Sequence, residues 1–353
     1  MRHPACFPRP VSPGGALGPL RALGALIVLL MLGACAISPR IGADDRQHIA
    51  GKTFVVTGAS SGFGRGVALE LASQGANVVL AARRVTVLEE VAEEVRTRGG
   101  VPLVVATDVG RQEDVRRLAD AAVSRFGAID VWINNAGVLA IGRFEDIPVE
   151  DHARLVQTNV MGVIYGSHAA MRLFRAQGRG VLVNVGSAES VVPLAYHASY
   201  SASKAAVLGL GRALDQEIRL GGERDIHVAT VLPWAADTPV SEHAANYSGR
   251  TPRLISMDDP QTVVDAIVWV SIHPQDTLPV GWKARGVYVM HHLLPGTTES
   301  IAADMAHREQ MEKAPPAPAT GGALYRPLPA GTGVDGGNRA RQRMEDAQTG
   351  GGS

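Results

Sequence analysis

The sequence predicts an α/β fold, a single doubly wound domain with a seven-stranded parallel sheet covered by helices on both faces. Three observations support this fold class. Short β-branched runs alternate with longer amphipathic stretches from residue 52 to about residue 303. The apolar runs are nearly continuous, as expected of strands that are buried on both faces of a sheet. A glycine-rich turn follows the first run, and doubly wound folds bind ligands at that position.

The predicted strands are joined by helices that return the chain across the sheet through right-handed crossovers. In chain order the strands are 53–57, 77–81, 101–106, 130–134, 180–185, 226–232 and 286–290. Stretches with apolar residues at helical spacing, such as VLEEVAEEVRTR and VRRLADAAVSRFG, lie between them. We place the domain at residues 46–303.

The first 45 residues differ in composition from this domain. An uncharged apolar run at 22–39 lies at the lower edge of the length that spans a bilayer. It contains LGAC, ending at Cys35, which resembles the lipobox of bacterial lipoproteins. An uncleaved anchor helix, or translation that starts at Met31, fits the same residues. We predict a signal or anchor segment that associates the protein with a membrane, on a side that the flanking charges leave open.

Residues 304–353 are predicted to hold the end of a helix and then a disordered tail, because proline and glycine are frequent there and apolar periodicity is weak. Basic and acidic residues balance at 34 each, so the charge indicates no nucleic-acid partner. Both cysteines, Cys6 and Cys35, precede the domain, which excludes a disulfide framework in its core. His291 and His292 have no further ligand at suitable spacing, and we predict no metal site.

The stretch TGASSGFG, residues 57–64, fits two kinds of site. It contains G-x-S-x-G, the pattern of a hydrolase nucleophile elbow with Ser60 as the nucleophile. It also places three glycines between a strand and a helix, where unpaired N–H groups bind a dinucleotide pyrophosphate. The position after the first strand favours the second interpretation. The predicted cofactor contacts are Gly58, Ser60, Ser61, Gly62, Phe63 and Gly64.

Four further stretches occur in a fixed order. They are NNAG (134–137), Asn159 in QTNVMG, Ser187 in VNVGSAES, and YSASK from Tyr200 to Lys204. With TGASSGFG, this set resembles the short-chain dehydrogenase/reductase family over residues 52–295. The resemblance implies a Rossmann domain, a nicotinamide coenzyme, a small carbonyl or alcohol substrate and a homo-oligomer. It also implies that Asn135, Ala136 and Gly137 contact the cofactor.

Tyr200 and Lys204 are spaced to lie one helical turn apart. A phenol with a pKa of about 10 is a poor acid at neutral pH, and a neighbouring ammonium favours its ionised form. We therefore predict that Tyr200 is the general acid/base and that Ser187 donates a hydrogen bond to the substrate oxygen. The resemblance implies that Lys204 binds the nicotinamide ribose and that Asn159 holds a water in a proton relay.

The end of the second predicted strand indicates the coenzyme. NAD-binding folds place a carboxylate there for the ribose 2′-hydroxyl, whereas this chain reads Ala-Ala-Arg83-Arg84. A guanidinium matches a 2′-phosphate in charge and geometry, so we predict NADP(H) as the coenzyme. The alternative is that both arginines are only solvent-exposed residues at the start of a helix. The remaining cofactor contacts implied by the resemblance are Asp108, Val109, Pro233 and Thr238, beside Tyr200 and Lys204.

Trp234 stands where the family usually has glycine, and it leaves the substrate's shape open. The main interpretation is an NADP(H)-dependent oxidoreductase that transfers hydride between nicotinamide and a carbonyl or secondary alcohol. Two alternatives are a non-catalytic NADP-binding sensor or scaffold and a serine hydrolase that uses Ser60.

Overall fold

The computed structural model describes residues 39–350, and within them a seven-stranded parallel sheet has the strand order β3-β2-β1-β4-β6-β7-β9. A second sheet pairs β5 with β8 in parallel. The strands are β1 Thr53–Thr57, β2 Asn77–Ala82, β3 Val101–Ala106, β4 Val131–Asn134, β5 Ala140–Ile141, β6 Gly180–Val185, β7 Ile226–Leu232, β8 Ala245–Asn246 and β9 Thr277–Pro279.

Helices connect the strands and cover both faces of the larger sheet. They are α1 Arg46–Ile49, α2 Gly62–Ser73, α3 Val85–Thr97, α4 Gln112–Phe126, α5 Val149–Val156, α6 Gly162–Gln177, α7 Ala198–Gly221, α8 Val240–His243, α9 Pro260–Val270, α10 Gly281–Leu293, α11 Pro295–His307 and α12 Asn338–Gly350. A π-helical turn, Gln157–Met161, joins α5 to α6. The predicted doubly wound α/β fold is confirmed.

Alternate residues of each central strand enter opposite cores, which is why the strands are apolar throughout. Phe54 and Val56 of β1 belong to the core beneath α2, α3 and α9. Val55 of the same strand belongs to the core that α4 and α6 cover. Strand β1 is fully buried as a result.

The chain leaves β1 in one direction to β2 and β3, and later fills the other side with β4, β6, β7 and β9. The sheet therefore changes winding direction between β1 and β4. A crevice opens at the carboxyl ends of the strands at such a switch point, and open α/β sheets bind ligands there.

The seventh strand is not where the sequence predicts it. Residues 286–290 lie inside α10, whereas the edge strand β9 is formed by Thr277–Pro279, with Leu278 aligned to Val231 of β7. Gly281, at φ +74°, begins the helix directly after this short strand. A run such as GVYVM fits a strand or a helix equally by its pattern, and the tertiary placement decides between them.

The C-terminal residues also differ from the sequence-based prediction of disorder. Residues 314–337 follow the domain surface as an extended segment, and α12 packs after it. Asn246 forms an antiparallel bridge with Thr320, and Arg250 forms one with Pro316. The side chain of Arg253 is 2% exposed and makes ion pairs with Glu309 and with Glu345 and Asp346 of α12. Main-chain pairing and buried charge thus hold a segment whose composition is typical of a solvated tail.

The predicted membrane segment, with Cys35, lies outside the described residues except for its last position. In the part of the chain that the structure describes, no helix combines the length and the apolar character needed to span a bilayer.

Candidate active site

Three predicted catalytic residues meet at the carboxyl end of β6. Ser187 lies two residues after the end of this strand, and Tyr200 and Lys204 lie in the first two turns of α7. Ser187 takes an extended conformation and accepts a hydrogen bond from the backbone N–H of Glu189 at 3.1 Å, which begins a short 3₁₀ turn. A hydrogen bond also links the hydroxyl groups of Ser187 and Tyr200.

Lys204 is 6% exposed, so its ammonium lies inside the protein. Its Nζ donates to the carbonyl oxygen of Val185 at 2.9 Å and lies 5.6 Å from the centre of the Tyr200 ring. Burial lowers the pKa of Lys204 to about 8, and the negative charge of Glu189 acts in the opposite direction. The Lys204 ammonium is therefore still the main form at neutral pH, but keeping its charge inside the protein costs free energy.

The expectation that Lys204 lowers the tyrosine pKa is not met in this structure. Burial raises the pKa of Tyr200 above its ordinary value, the negative charge of Glu189 raises it further, and the hydrogen bond with Ser187 acts in the other direction. Desolvation is the largest of these effects, because loss of water disfavours the charged phenolate more than the neutral phenol. A further positive charge near the phenol would have to supply the remaining stabilisation.

Glu189 is a site residue that none of the sequence motifs singles out. Its carboxylate accepts a hydrogen bond from Ser201 Oγ at 2.6 Å and lies 3.1 Å from His197 Nδ1. These contacts fix the turn after β6 to the start of α7, and thereby the spacing of Ser187 and Tyr200. The sequence signal that could have indicated this role is a carboxylate residue two positions after Ser187.

Asn159 lies in the π-helical turn and is 1% exposed. Its Nδ2 donates to Val138 O at 2.9 Å and to Ser203 Oγ at 3.0 Å, while Oδ1 accepts from Val138 N at 2.8 Å. Both amide hydrogens are used by the protein, so this side chain positions the loop after β4 against α7. The predicted water relay is not tested by these contacts.

In the glycine-rich turn, neighbouring backbone segments approach each other closely. At Gly58, φ is +71°, and a Cβ would lie 2.9 Å from Ala136 Cα. At Gly64 a Cβ would lie 2.3 Å from the carbonyl oxygen of Gly58, so the first turn of α2 packs directly on the loop. Ser61 occupies the N-cap position of α2 without a side-chain cap bond, and Gly62 and Phe63 form the start of that helix. The turn therefore presents backbone N–H groups at a helix N-terminus, as a pyrophosphate site requires.

Thr57, at the end of β1, joins this turn to the NNAG stretch. Its Oγ1 donates to Ile133 O at 3.1 Å and accepts from the backbone N–H groups of Asn135 at 3.0 Å and Ala136 at 3.1 Å. Asn135 Nδ2 returns a bond to Thr57 O at 2.8 Å. A Cβ on Gly137 would lie 3.6 Å from Lys204 Nζ, which brings this stretch to the catalytic lysine.

Arg83 and Arg84 follow β2 and lie beside the glycine-rich turn. Arg84 donates from Nε to Ser60 Oγ at 3.2 Å and from Nη2 to the same oxygen at 3.1 Å. Burial lowers the pKa of both arginines. Because a guanidinium does not take up a proton, Ser60 receives no general base from this contact, and the hydrolase interpretation has no support here.

The other predicted cofactor residues line the same crevice. Asp108 accepts from Arg154 Nη2 at 2.6 Å, next to the buried Val109. Pro233 accepts a backbone bond from Ala188 at 2.8 Å. The buried Thr238 lies across the crevice from the turn: a Cβ on Gly62 would be 3.5 Å from Thr238 Cβ.

Trp234 does not stand free in the crevice. Its Nε1 donates to the carbonyl oxygens of Ile255 at 3.1 Å and Ser256 at 3.2 Å. The indole thus ties the chain after β7 to the loop before α9. Ser256 adopts φ +47°, which shows that this loop is closely constrained.

These residues fit a nicotinamide dinucleotide. A Cβ at Gly58 or Gly64 would clash with Ala136 or with the carbonyl oxygen of Gly58, so only glycines allow this tight turn, and the N-terminus of α2 follows it directly. When bound, such a coenzyme supplies or accepts a hydride. The protein groups at the other end, Ser187 and Tyr200, offer hydroxyl protons to an oxygen atom placed between them.

Comparisons with known proteins identify the family of this chain. Residues 52–247 match the family model described as short chain dehydrogenase. The chain therefore belongs to the short-chain dehydrogenase/reductase family, and it is an oxidoreductase of that family.

Two relatives illustrate the similarity. An uncharacterized oxidoreductase of Bacillus subtilis, YxnA, is 33% identical over 282 residues, which cover 79% of this chain and 79% of the relative. The 3beta-hydroxysteroid dehydrogenase 1 of Eggerthella lenta is 34% identical over 236 residues, which cover 64% of this chain and 88% of that protein.

Solved structures show the same fold. An alcohol dehydrogenase from the archaeon Thermococcus sibiricus, complexed with 5-hydroxy-NADP, has a TM-score of 0.55 at 27% identity and covers 64% of this chain and 92% of its own. A 3-ketoacyl-(acyl-carrier-protein) reductase from Brucella melitensis, complexed with NADH, has a TM-score of 0.57 at 28% identity. The match covers 65% of this chain and 96% of the reductase. One of these neighbours is complexed with an NADP derivative and the other with NADH.

Proposed function

We propose that this protein is an NADP(H)-dependent oxidoreductase that interconverts a carbonyl compound and a secondary alcohol, with Tyr200 as the general acid/base. The observation that carries the proposal is the convergence of Ser187, Tyr200 and Lys204 at the carboxyl end of β6, next to a glycine-rich turn. In the reductive direction the Tyr200 hydroxyl gives its proton to the substrate oxygen. Ser187 donates a hydrogen bond to the same oxygen and stabilises its developing charge.

The preference for NADP(H) is supported by Arg83 and Arg84 at the end of β2, where NAD-binding folds place a carboxylate. Two guanidinium groups there offer charge-assisted hydrogen bonds to a 2′-phosphate. Lys204 and Thr238 would hold the nicotinamide end, and Asp108 the adenine end. The names of the relatives, among them a hydroxysteroid dehydrogenase and an alcohol dehydrogenase, support a hydroxyl or keto group as the reacting function.

Tyr200→Phe tests this proposal. NADPH and NADH oxidation by the full chain would be followed with a panel of ketones, aldehydes, sterols and acyl-ketones. We expect the variant to lose turnover by about 10²-fold or more, because proton transfer contributes on that order, while NADPH affinity stays within threefold. Tyr288→Phe in α10, whose hydroxyl accepts a hydrogen bond from Arg212 at 3.1 Å, is the matched control and keeps full turnover. A Tyr200→Phe protein as active as the parent, or a parent that binds neither coenzyme, refutes the proposal.

Membrane attachment through residues 1–45 and a homo-oligomeric state remain proposals from the sequence. Fractionation of cells that express the full chain tests the first. Light scattering of the purified protein tests the second.

A further inference from the structure

The cofactor crevice is crossed by the protein's own C-terminal segment. Residues 323–336, which we call the strap, run from the β2 side of the crevice to the α2 and Thr238 side. Their backbone carbonyl groups point at the residues that the sequence predicts to bind the coenzyme. The accepting carbonyls are those of Ala323, Leu324, Tyr325, Leu328, Ala330, Gly331 and Gly333.

The contacts begin at the two arginines after β2. Arg83 donates from Nη2 to Ala323 O at 2.6 Å and from Nη1 to Leu324 O at 3.1 Å. Arg84 donates from Nη1 to Leu328 O and Ala330 O, each at 3.1 Å. The donors proposed for the 2′-phosphate are thus engaged by peptide oxygens.

The contacts continue at the pyrophosphate end. The backbone N–H of Gly62, at the N-terminus of α2, donates to Gly333 O at 2.9 Å. On the far side, Gly336 N donates to Asp237 O at 2.9 Å, and Asn338 Nδ2 donates to Thr238 O at 3.0 Å. The strap, together with Asn338 at the start of α12, therefore contacts the predicted 2′-phosphate, pyrophosphate and nicotinamide positions in turn.

The electrostatics favour exchange of the strap for an anion. A carbonyl oxygen is an uncharged acceptor, so its hydrogen bond with a guanidinium is assisted by the charge of the donor alone, whereas a phosphate adds an opposite charge and bidentate geometry. Burial lowers the pKa of Arg83 and of Arg84. Neighbouring cations lower both values further, while Asp108 acts in the opposite direction on Arg83 and Glu242 on Arg84. A dinucleotide phosphate would compensate these charges, which the strap does not.

Both ends of the strap are held by groups outside the crevice. Thr320 pairs with Asn246 before it, and α12 is fixed by Arg253 after it. Residues 325–330 between these anchors are mostly exposed. The middle of the segment can therefore leave the crevice while its ends remain attached.

We propose that the strap is an intramolecular competitor of the coenzyme, so that NADP(H) binds only when residues 323–336 leave Arg84 and Gly62. This inference rests on the proposed function, because the coenzyme is its competing ligand. A strap that instead closes over bound coenzyme makes the opposite prediction for affinity.

Gly322, which directly precedes the strap, and Gly331 within it offer variants that displace the strap without altering the predicted coenzyme contacts. A Cβ on Gly322 would lie 2.4 Å from the carbonyl carbon and oxygen of Ala244, and one on Gly331 would lie 2.5 Å from His243 Nε2. Both glycines have positive φ, +51° and +67°, which an alanine adopts only with strain. Gly321→Ala is the matched control, since its Cβ would meet only Tyr247 Oη, at 3.8 Å.

The experiment measures NADPH affinity of the full chain by fluorescence titration. We expect Gly322→Ala and Gly331→Ala to bind NADPH at least tenfold more tightly than the parent, and Gly321→Ala to match the parent. Unchanged or weaker binding by both displaced variants overturns the competition while leaving the proposed function intact. If neither the parent nor any of the three variants binds NADPH or NADH, both the competition by the strap and the proposed function are refuted.

Hydrogen exchange gives a second measurement on the unaltered protein. The amide groups of Ala323 and Gly336 are bonded to His243 O and Asp237 O and report on the docked strap. Saturating NADPH should speed their exchange if the coenzyme displaces the strap. Slower exchange on NADPH binding would mean that the strap closes over the coenzyme, and would overturn the proposal.

Discussion

Replacement of Gly64 by alanine tests the packing of α2 on the cofactor turn. The new Cβ would lie 2.3 Å from Gly58 O and 2.6 Å from Asn135 Nδ2, so the backbone of the turn has to move. Overpacking of this kind costs about 1–3 kcal/mol. An exposed helical glycine with free space, Gly209 in α7, provides the matched control, because alanine there meets nothing within 4 Å.

We expect Gly209→Ala to raise the free energy of unfolding by about 0.5–1 kcal/mol, since alanine is the better helix former. Gly64→Ala should lower it, so that the two variants differ by about 1.5–4 kcal/mol, or about 3–16 °C in Tm. Urea denaturation and thermal unfolding measure this difference, and NADPH titration should show weaker binding only for Gly64→Ala. Equal stabilisation by the two alanines would refute the argument that Gly64 is required by contact with the turn.

Three further outcomes follow from the site. Lys204→Met should abolish turnover yet raise the free energy of unfolding by up to about 3 kcal/mol at pH 7, because the folded pKa of about 8 lies below the ordinary 10.5. Between pH 8 and pH 10.5 the unfolded parent binds more protons than the folded one, so the stability gained by Lys204→Met should shrink over this range. A gain that stays constant with pH would contradict the lowered pKa of Lys204 as its cause. Arg83→Ala should weaken NADPH binding by about 10–100-fold without lowering NADH affinity, and an equal loss for both would remove the 2′-phosphate role. Thr57→Val should destabilise the protein by about 1–3 kcal/mol in urea, because two backbone N–H groups lose their acceptor; unchanged stability would contradict that bond count.

The catalytic and glycine-rich motifs were predictable because their chemistry depends on residue type at short spacing. Tyr200 and Lys204 lie on one helix, and Gly58 and Gly64 belong to one turn. The spacing in the sequence therefore fixes the approximate distance between the two residues of each pair. The pKa of Tyr200 was not predictable in the same way. Its direction depends on how much water the fold removes from the phenol and on Glu189, which approaches it through tertiary structure.

The strap was missed for a different physical reason. Its contacts with Arg83, Arg84 and Gly62 use backbone carbonyl groups, which every residue possesses and which leave no pattern in the sequence. Its proline and glycine content is equally typical of a disordered tail. The seventh strand was missed because three residues, Thr277–Pro279, are too few to show a period.

Asn246 is the centre of a small three-stranded arrangement near the crevice. Its neighbours Ala245 and Tyr247 donate to Leu139 O and Ile141 O on one side, and Asn246 itself exchanges two backbone bonds with Thr320 on the other. A chain shortened before Thr320 would turn this covered strand into an open edge with unpaired polar groups. Such edges recruit strands from other molecules, so loss of the C-terminal residues should cause self-association and lower solubility.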